Sequence, residues 1–264
     1  MWTLSRIALY PVKSLDPVFV EQAEVLPGGG LAWDRQYALF DADGKVINAK
    51  KQATIQQIRA RFDLAGQTIT VSAPDRDLAA EQFVLSDNQP GLAAWFSDYF
   101  DQRVTLKSNT STGFPDDLEA SGPTIISTQT YEELARWFPG ISVDELRLRF
   151  RANLEFAGDL PFCEDRLYNP LDPPVLFRAG AVTFAGSNPC KRCVVPSRVP
   201  TTGQTDAQFM KTFIRKREET FPSWGVLSLF RNMYRLAVNT RLHELPEGQP
   251  PRIQCGDTLE ILSR

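Results

Sequence analysis

The chain has 264 residues, 42% of them hydrophobic and 23% charged, with a formal net charge of -3. This composition suits a globular protein of one large domain or two intimate ones, and its slight acidity offers no global attraction to nucleic acid or an anionic membrane. No apolar run approaches the roughly 20 residues that span a bilayer, and Arg6 and Pro11 interrupt the N-terminus where a signal peptide needs an unbroken apolar core, so a cytoplasmic protein is expected.

In chain order, residues 18–25 and 37–41 read as short strands, with a turn at Asp43-Gly44. Ile69 and Val71 alternate with threonines in the strand predicted over 67–72, and Pro74-Asp75 turns the chain toward a strand at 83–86. Leu92, Trp95, Phe96 and Tyr99 stand at helical spacing, predicting a helix over 91–100, followed by a strand at 104–107. The polar, turn-rich stretch 108–121 is either a boundary, dividing a domain of residues 1–115 from one of 116–264, or an active-site loop inside one domain. A Thr130-to-Glu133 capping box opens a helix over 130–137. Arg147, Arg149 and Arg151 alternate as they would along one strand face. A strand follows at 181–185, then a helix capped by Asp206 that groups Phe209, Met210, Phe213 and Ile214, and a last strand at 258–262. Many short strands with a few helices predict a mainly β fold with added helices, barrel-like in architecture.

Four segments carry chemical potential. Lys13-Ser14 ends the YPVKS stretch; charge and hydroxyl at a strand end suit a phosphate, and equally a solvated turn. Asp34-Arg35 precedes a strand, as an anion fork or a local ion pair. Three like-charged arginines on one face call for an anion among them, or mark a solvated edge strand. Glu164-Asp165 reads as a solvated loop or a partner of the arginine strand. Cys190-Lys191-Arg192-Cys193 places two thiols around two cations, and neighbouring positive charge favours the thiolate. A closed zinc site lacks a second ligand pair at recognisable spacing. Val194-Val195-Pro196 is poor material for the helix of a thioredoxin-like motif. His243, the only histidine, is the sole partner for a Cys–His nucleophile. A single-thiolate metal ligand, with other ligands brought by a cofactor, remains.

YPVKS at 10–14, WDRQY at 33–37, SGPTIIST at 121–128, RFRAN at 149–153, CED at 163–165, NPCKRC at 188–193, VPTTG at 199–203 and the closing CGDTLEIL together resemble the MOSC family. Within it the chain looks most like the branch that includes the mitochondrial amidoxime-reducing component and its bacterial relatives. The resemblance implies an N-terminal β-barrel domain packed with a MOSC-type β-barrel core. It implies a molybdenum cofactor, Mo-molybdopterin, with Cys193 as the metal ligand and Cys190 as a neighbour. Lys13, Ser14, Arg35, Lys50, Ser127, Arg151, Asn153 and Arg192 are the expected cofactor-binding residues, and Cys193 and Asp165 the expected catalytic ones, Asp165 as general acid. Lys50 stands where the family usually has an arginine, and Ala152 where proline is common. The implied activity is reduction of N-hydroxylated compounds such as hydroxylamines and amidoximes by oxygen-atom transfer. The chain shows no C-x4-C-x2-C spacing for an iron–sulfur cluster, so a separate electron-donor protein of ferredoxin, flavodoxin or reductase type is expected, with no nucleic-acid or membrane partner. Two other readings stand: a cofactor or sulfur carrier in maturation without small-substrate turnover, and a structural protein whose cysteine pair binds zinc or nothing.

Overall fold

The computed structural model describes residues 1–87, 89–169, 173–246 and 251–263. Its centre is a sheet in the order Leu154–Ala157, Ile125–Ser127, Arg235–Glu244, Val182–Lys191, Leu176–Ala179, Thr258–Ser263, Trp2–Leu9, Val18–Val20. Trp2–Leu9 also pairs antiparallel with Leu154–Ala157, Ile7 opposite Leu154, and this closes seven of the strands into a barrel. Closure satisfies the backbone groups that an open sheet would leave at its edges. Inward-facing Leu4, Ile7, Phe156, Phe177, Phe184 and Val238 fill the interior. Ile125–Ser127 runs parallel to Leu154–Ala157, and a parallel pair needs a crossover. Two helices supply it, α2 (Thr128–Trp137) and α3 (Val143–Phe150).

The N-terminal half holds two three-stranded sheets, Val46–Ile47 with Tyr37–Phe40 and Thr105–Ser108, and Arg59–Asp63 with Thr68–Ala73 and Leu78–Val84. Helix α1 (Pro90–Phe100) packs Leu92, Trp95, Phe96 and Tyr99 into their common core. It starts where the Gln89 side chain accepts from Gly91 N at 3.1 Å and stops where Asp101 turns left-handed, φ 53°. A third core joins α2 and α3 to α4 (Phe209–Glu219) through Tyr131, Leu134, Phe150, Phe209 and Phe213. The fold is thus α+β, mainly β with added helices, as expected. Among the described residues no helix is long and apolar enough to cross a membrane.

Several local expectations are corrected. The alternating arginines do not form a strand. Leu146, Arg149 and Phe150 are the buried set, the spacing of one helix face. Ser142 Oγ caps α3 by accepting from Glu145 N at 3.1 Å, and its acids in the first turn and arginines in the last suit the helix dipole. The charge pattern had a period of two, but the apolar pattern beneath it has the helical period. Helix α2 begins two residues early, capped by Ser127, whose Oγ accepts from Thr130 N at 3.2 Å. Glu133 then bonds forward to Trp137 instead of back to a cap. Asp206 holds the turn before α4, accepting from Gln208 N at 2.9 Å, and Met210 points to solvent, not to the core. The strand predicted over 18–25 is two strands, Val18–Val20 and Gln22–Glu24, in different sheets.

Candidate functional site

The strand that leads to the cysteine pair is irregular for a reason. Val182–Lys191 pairs with Arg235–Glu244, but the register slips between Gly186 and Asn188 and again between Pro189 and Lys191. Opposite the second slip Ala237 adopts φ 65°. Bulges of this kind re-aim the chain beside functional sites. At Gly186 an added Cβ would lie 1.6 Å from the Leu167 carbonyl oxygen, so only glycine lets the Cys163–Leu167 turn approach the strand.

Beyond the slip, two arginines brace Cys193. Arg192 donates to Phe150 O at 2.9 Å and to Leu236 O at 2.7 and 3.0 Å, tying the strand end to the last turn of α3. Arg149 donates to Pro196 O at 2.9 Å, holding the turn that follows Cys193. Cys193 itself packs partly against the N-terminal core. Cys190 is partly exposed, and its thiol makes a 3.9 Å contact with the Lys191 carbonyl.

The opposite wall comes from the N-terminal half. Lys13 N donates to Tyr37 O at 2.8 Å, which pins the backbone and leaves the ammonium to reach Phe114 O at 2.7 Å and Asp116 Oδ1 at 2.8 Å. Ser14, at φ 74°, accepts from Ala49 N at 3.1 Å and so holds the loop that carries Lys50. Lys50 Nζ lies 3.4 Å from the same Asp116 oxygen. Arg35 pairs closely with Asp34, and donates to Asn153 Oδ1 at 3.2 Å and Arg151 O at 3.3 Å. Asn153 anchors this group by donating to Ala8 O at 3.0 Å. Arg151, the left-handed C-cap of α3, donates to Leu15 O at 2.8 Å and lies 4.0 Å from the Tyr10 ring centroid; Arg35 lies 5.0 Å from it.

These pieces surround a cleft of about 550 Å³, within the usual range of small-molecule sites. Eight cationic and four acidic side chains line it, a positive excess in a chain of net charge -3. Its electrostatics are unsettled. Burial pulls the Arg151 guanidinium below the ordinary arginine value, only partly opposed by neighbouring Tyr10. Burial also lowers Lys13, against the pull of Asp116. Asp116 runs the other way: burial would raise it, but the charge and hydrogen bond of Lys13, then Lys50, hold it well below the usual carboxylate range.

Of the ten residues singled out from the sequence, Lys13, Ser14, Arg35, Lys50, Arg151, Asn153, Arg192 and Cys193 line this cleft. Ser127 and Asp165 do not. Ser127 is fully buried as the cap of α2. Asp165 is neither a solvated loop residue nor a partner of the Arg147–Arg151 segment. It lies in the buried Cys163–Leu167 turn, paired with Arg217 of α4. Asp16, Arg59 and Asp116 also line the cleft and escaped the sequence reading. Asp16 and Arg59 pair at 3.1 Å across the chain, which no local pattern signals.

Beside Asp165, Glu164 accepts from Thr130 Oγ1 at 2.8 Å, while its other oxygen has no hydrogen-bond partner among the described residues. Burial, then the Asp165 charge, push its pKa up to about 7. A carboxyl raised in the folded state binds more protons than its unfolded counterpart, so stability falls as pH rises from the unfolded value, about 4.3, toward 7. Glu164→Gln is expected to flatten the fall in Tm across that window. Melting both proteins from pH 4.5 to 7.5 checks this, and parallel curves would refute it.

A closed barrel abutting a second β unit, with a braced thiol in a cation-rich cleft lined by both halves, defines the class of protein. Residues 1–103 match the family model of the MOSC N-terminal beta barrel domain, and residues 122–260 that of the MOSC domain. The chain belongs to the MOSC family. It is 24% identical to a molybdenum cofactor sulfurase of Oryza sativa subsp. japonica over 76% of its length, covering 29% of that protein. It is 22% identical to one of Drosophila grimshawi over 98% of its length, covering 34%. The chain therefore spans about a third of the length of these relatives. Among solved structures, the YUAD protein from Bacillus subtilis aligns with 99% of the chain and 96% of its own, at TM-score 0.41 and 13% identity. YiiM from Escherichia coli aligns over 54% and 55% of the two chains, at TM-score 0.32 and 18% identity.

Proposed function

We propose that this protein binds a molybdenum cofactor in the cleft, with Cys193 as the protein's ligand to the metal, and reduces N-hydroxylated compounds such as hydroxylamines and amidoximes. The observation that carries this reading is the meeting of the Cys193 thiol with Lys13, Arg35, Lys50 and Arg151 in one cleft. Among the described residues no group of three or more His, Cys, Asp or Glu side chains is placed to hold a metal ion. A metal bound by Cys193 must then bring most of its own ligands, as a pterin dithiolene does. The donor set fits such a group: one soft sulfur for the metal and separate cations for an anionic tail. Arg151 donates to Leu15 O and, among the described residues, is bonded to no carboxylate, so a bound anion would relieve a poorly compensated charge.

The residues divide the work. Lys13 and Lys50 would hold the phosphate, with Arg151 and Arg35 behind them. Ser14 and Asn153 keep those cations in place through Ala49 N and Ala8 O. Arg149 and Arg192 keep the backbone around Cys193 from moving. The bound cofactor would supply two-electron oxygen-atom transfer, removing the N-hydroxyl oxygen as water with electrons from a separate donor protein. In this reading Asp165 is given no proton-donating role, because it pairs with Arg217 and does not line the cleft.

The names of the two relatives favour a second reading, a carrier of sulfur or cofactor in maturation, in which Cys193 bears the transferred sulfur. Protein made in a molybdenum-competent host is expected to hold about one molybdenum and one pterin per chain and to reduce benzamidoxime or hydroxylamine with an artificial electron donor. Bound molybdenum without turnover would favour the carrier; zinc alone would defeat both readings.

A further inference from the structure

The segment 113–121 crosses the cleft as a strap. It is hinged at Gly113, φ 64°, and anchored where Phe114 N donates to Arg35 O at 2.8 Å. Its far end is anchored where Ser121 Oγ donates to Gly28 O at 2.5 Å. Between the anchors the tip buries little: Leu118 is 83% exposed and the Asp116 side chain 59%. Carboxylates provide the tip's side-chain ties to the cleft. Asp116 accepts from Lys13 at 2.8 Å and Lys50 at 3.4 Å, and Asp117 from Asn239 Nδ2 at 3.3 Å. The two sides of this contact differ in kind. Lys13 is buried, with its backbone pinned to Tyr37, and cannot withdraw. Asp116 sits on an exposed loop and can.

We propose that this strap is a built-in competitor for the cleft's anion seat, with Asp116 standing where a phosphate group binds and leaving when one enters. The inference rests on the reading of Lys13 and Lys50 as that seat. A tethered carboxylate meets its partners at high effective concentration, so it keeps two cations compensated while the seat lacks a ligand. A ligand must displace it, and apparent affinity falls by the fraction of molecules with the strap in place. The strap thereby lowers the apparent affinity of every anion by the same factor, so that only anions of high intrinsic affinity, such as multiply charged phosphates, fill the seat at low concentration.

Inorganic pyrophosphate is the probe, titrated calorimetrically into the full chain purified without cofactor. Asp116→Asn is expected to tighten binding roughly three- to tenfold, the scale of a half-exposed ion pair with one buried partner. Asp43→Asn removes an equal charge from an exposed pair with Lys45 and is expected to leave affinity unchanged. In the unsubstituted protein, pyrophosphate should speed amide hydrogen exchange over 116–119. Equal affinities with no change in exchange would overturn the strap while leaving the seat intact. If neither protein binds the probe, the seat falls and the strap with it. Molybdenum content, measured separately, reports on Cys193 independently of either result.

Discussion

Cys193→Ala is expected to lower molybdenum retention by at least about 100-fold, the upper end of what losing even an outer-shell partner does at metal sites, and to abolish turnover. Cys190→Ala should keep most of both. The two thiols differ in how firmly they are presented. Cys193 is bracketed by Arg192, bonded to Phe150 O and Leu236 O, and by Arg149, bonded to Pro196 O. Cys190 lies in the slipped end of a strand, with one weak contact to the Lys191 carbonyl. A ligand must be held before the metal arrives, since any ordering on binding subtracts from affinity. Metal analysis after gel filtration, with pterin fluorescence and circular dichroism as the fold control, gives the comparison. Equal loss in both variants would sink the single-ligand assignment and point to both sulfurs acting together.

Arg217→Ala is expected to destabilise the fold by about 3–5 kcal/mol, the cost of leaving one partner of a buried ion pair alone, and to lower Tm by roughly 10 °C. The Arg217 and Asp165 side chains are 1% and 4% exposed. The guanidinium lies 3.9 Å from the Phe162 ring centroid and 5.2 Å from those of Phe221 and Phe230. Among the described residues its Nε and Nη1 have no hydrogen-bond partner, so geometry alone does not compensate this charge fully. Burial already raises Asp165, and Arg217 is the chief opposing influence. Without it, a bare carboxylate would sit beside Glu164, which lies in the same buried turn. Asp165→Asn combined with Arg217→Met should recover much of the loss, because no uncompensated charge remains. Urea melts of the three proteins test this; a single variant as stable as the parent would show that the pair contributes nothing.

Seven of the ten expected site residues lie in YPVKS, WDRQY, RFRAN and NPCKRC and line the cleft, and Lys50, outside those motifs, makes an eighth. Each motif is a contiguous strand end, helix end or turn, so its few residues reach the cleft together. The places where the structure departs from expectation share one cause. Alternating arginines suggest a strand to anyone counting charges, but the packing of Leu146 and Phe150 against the third core decided for a helix. Asp165 and Ser127 belong to motifs of the right type, and only the packing of α2, α4 and the Cys163–Leu167 turn shows them facing away from the cleft. The stretch 108–121 is polar and turn-rich, and that composition is silent about what it covers.

Composition, periodicity and turn chemistry are properties of neighbours along the chain, and they sufficed for the class of fold, the cysteine pair and the turn that carries Lys13. The joining of that turn to the cysteines, the pairing of Lys13 with Asp116 103 residues away, and the sealing of Asp165 against Arg217 all arise from barrel closure and core packing. Burial and Coulomb energy depend on distance in space, so the charge state and reach of these groups were settled only when remote segments met.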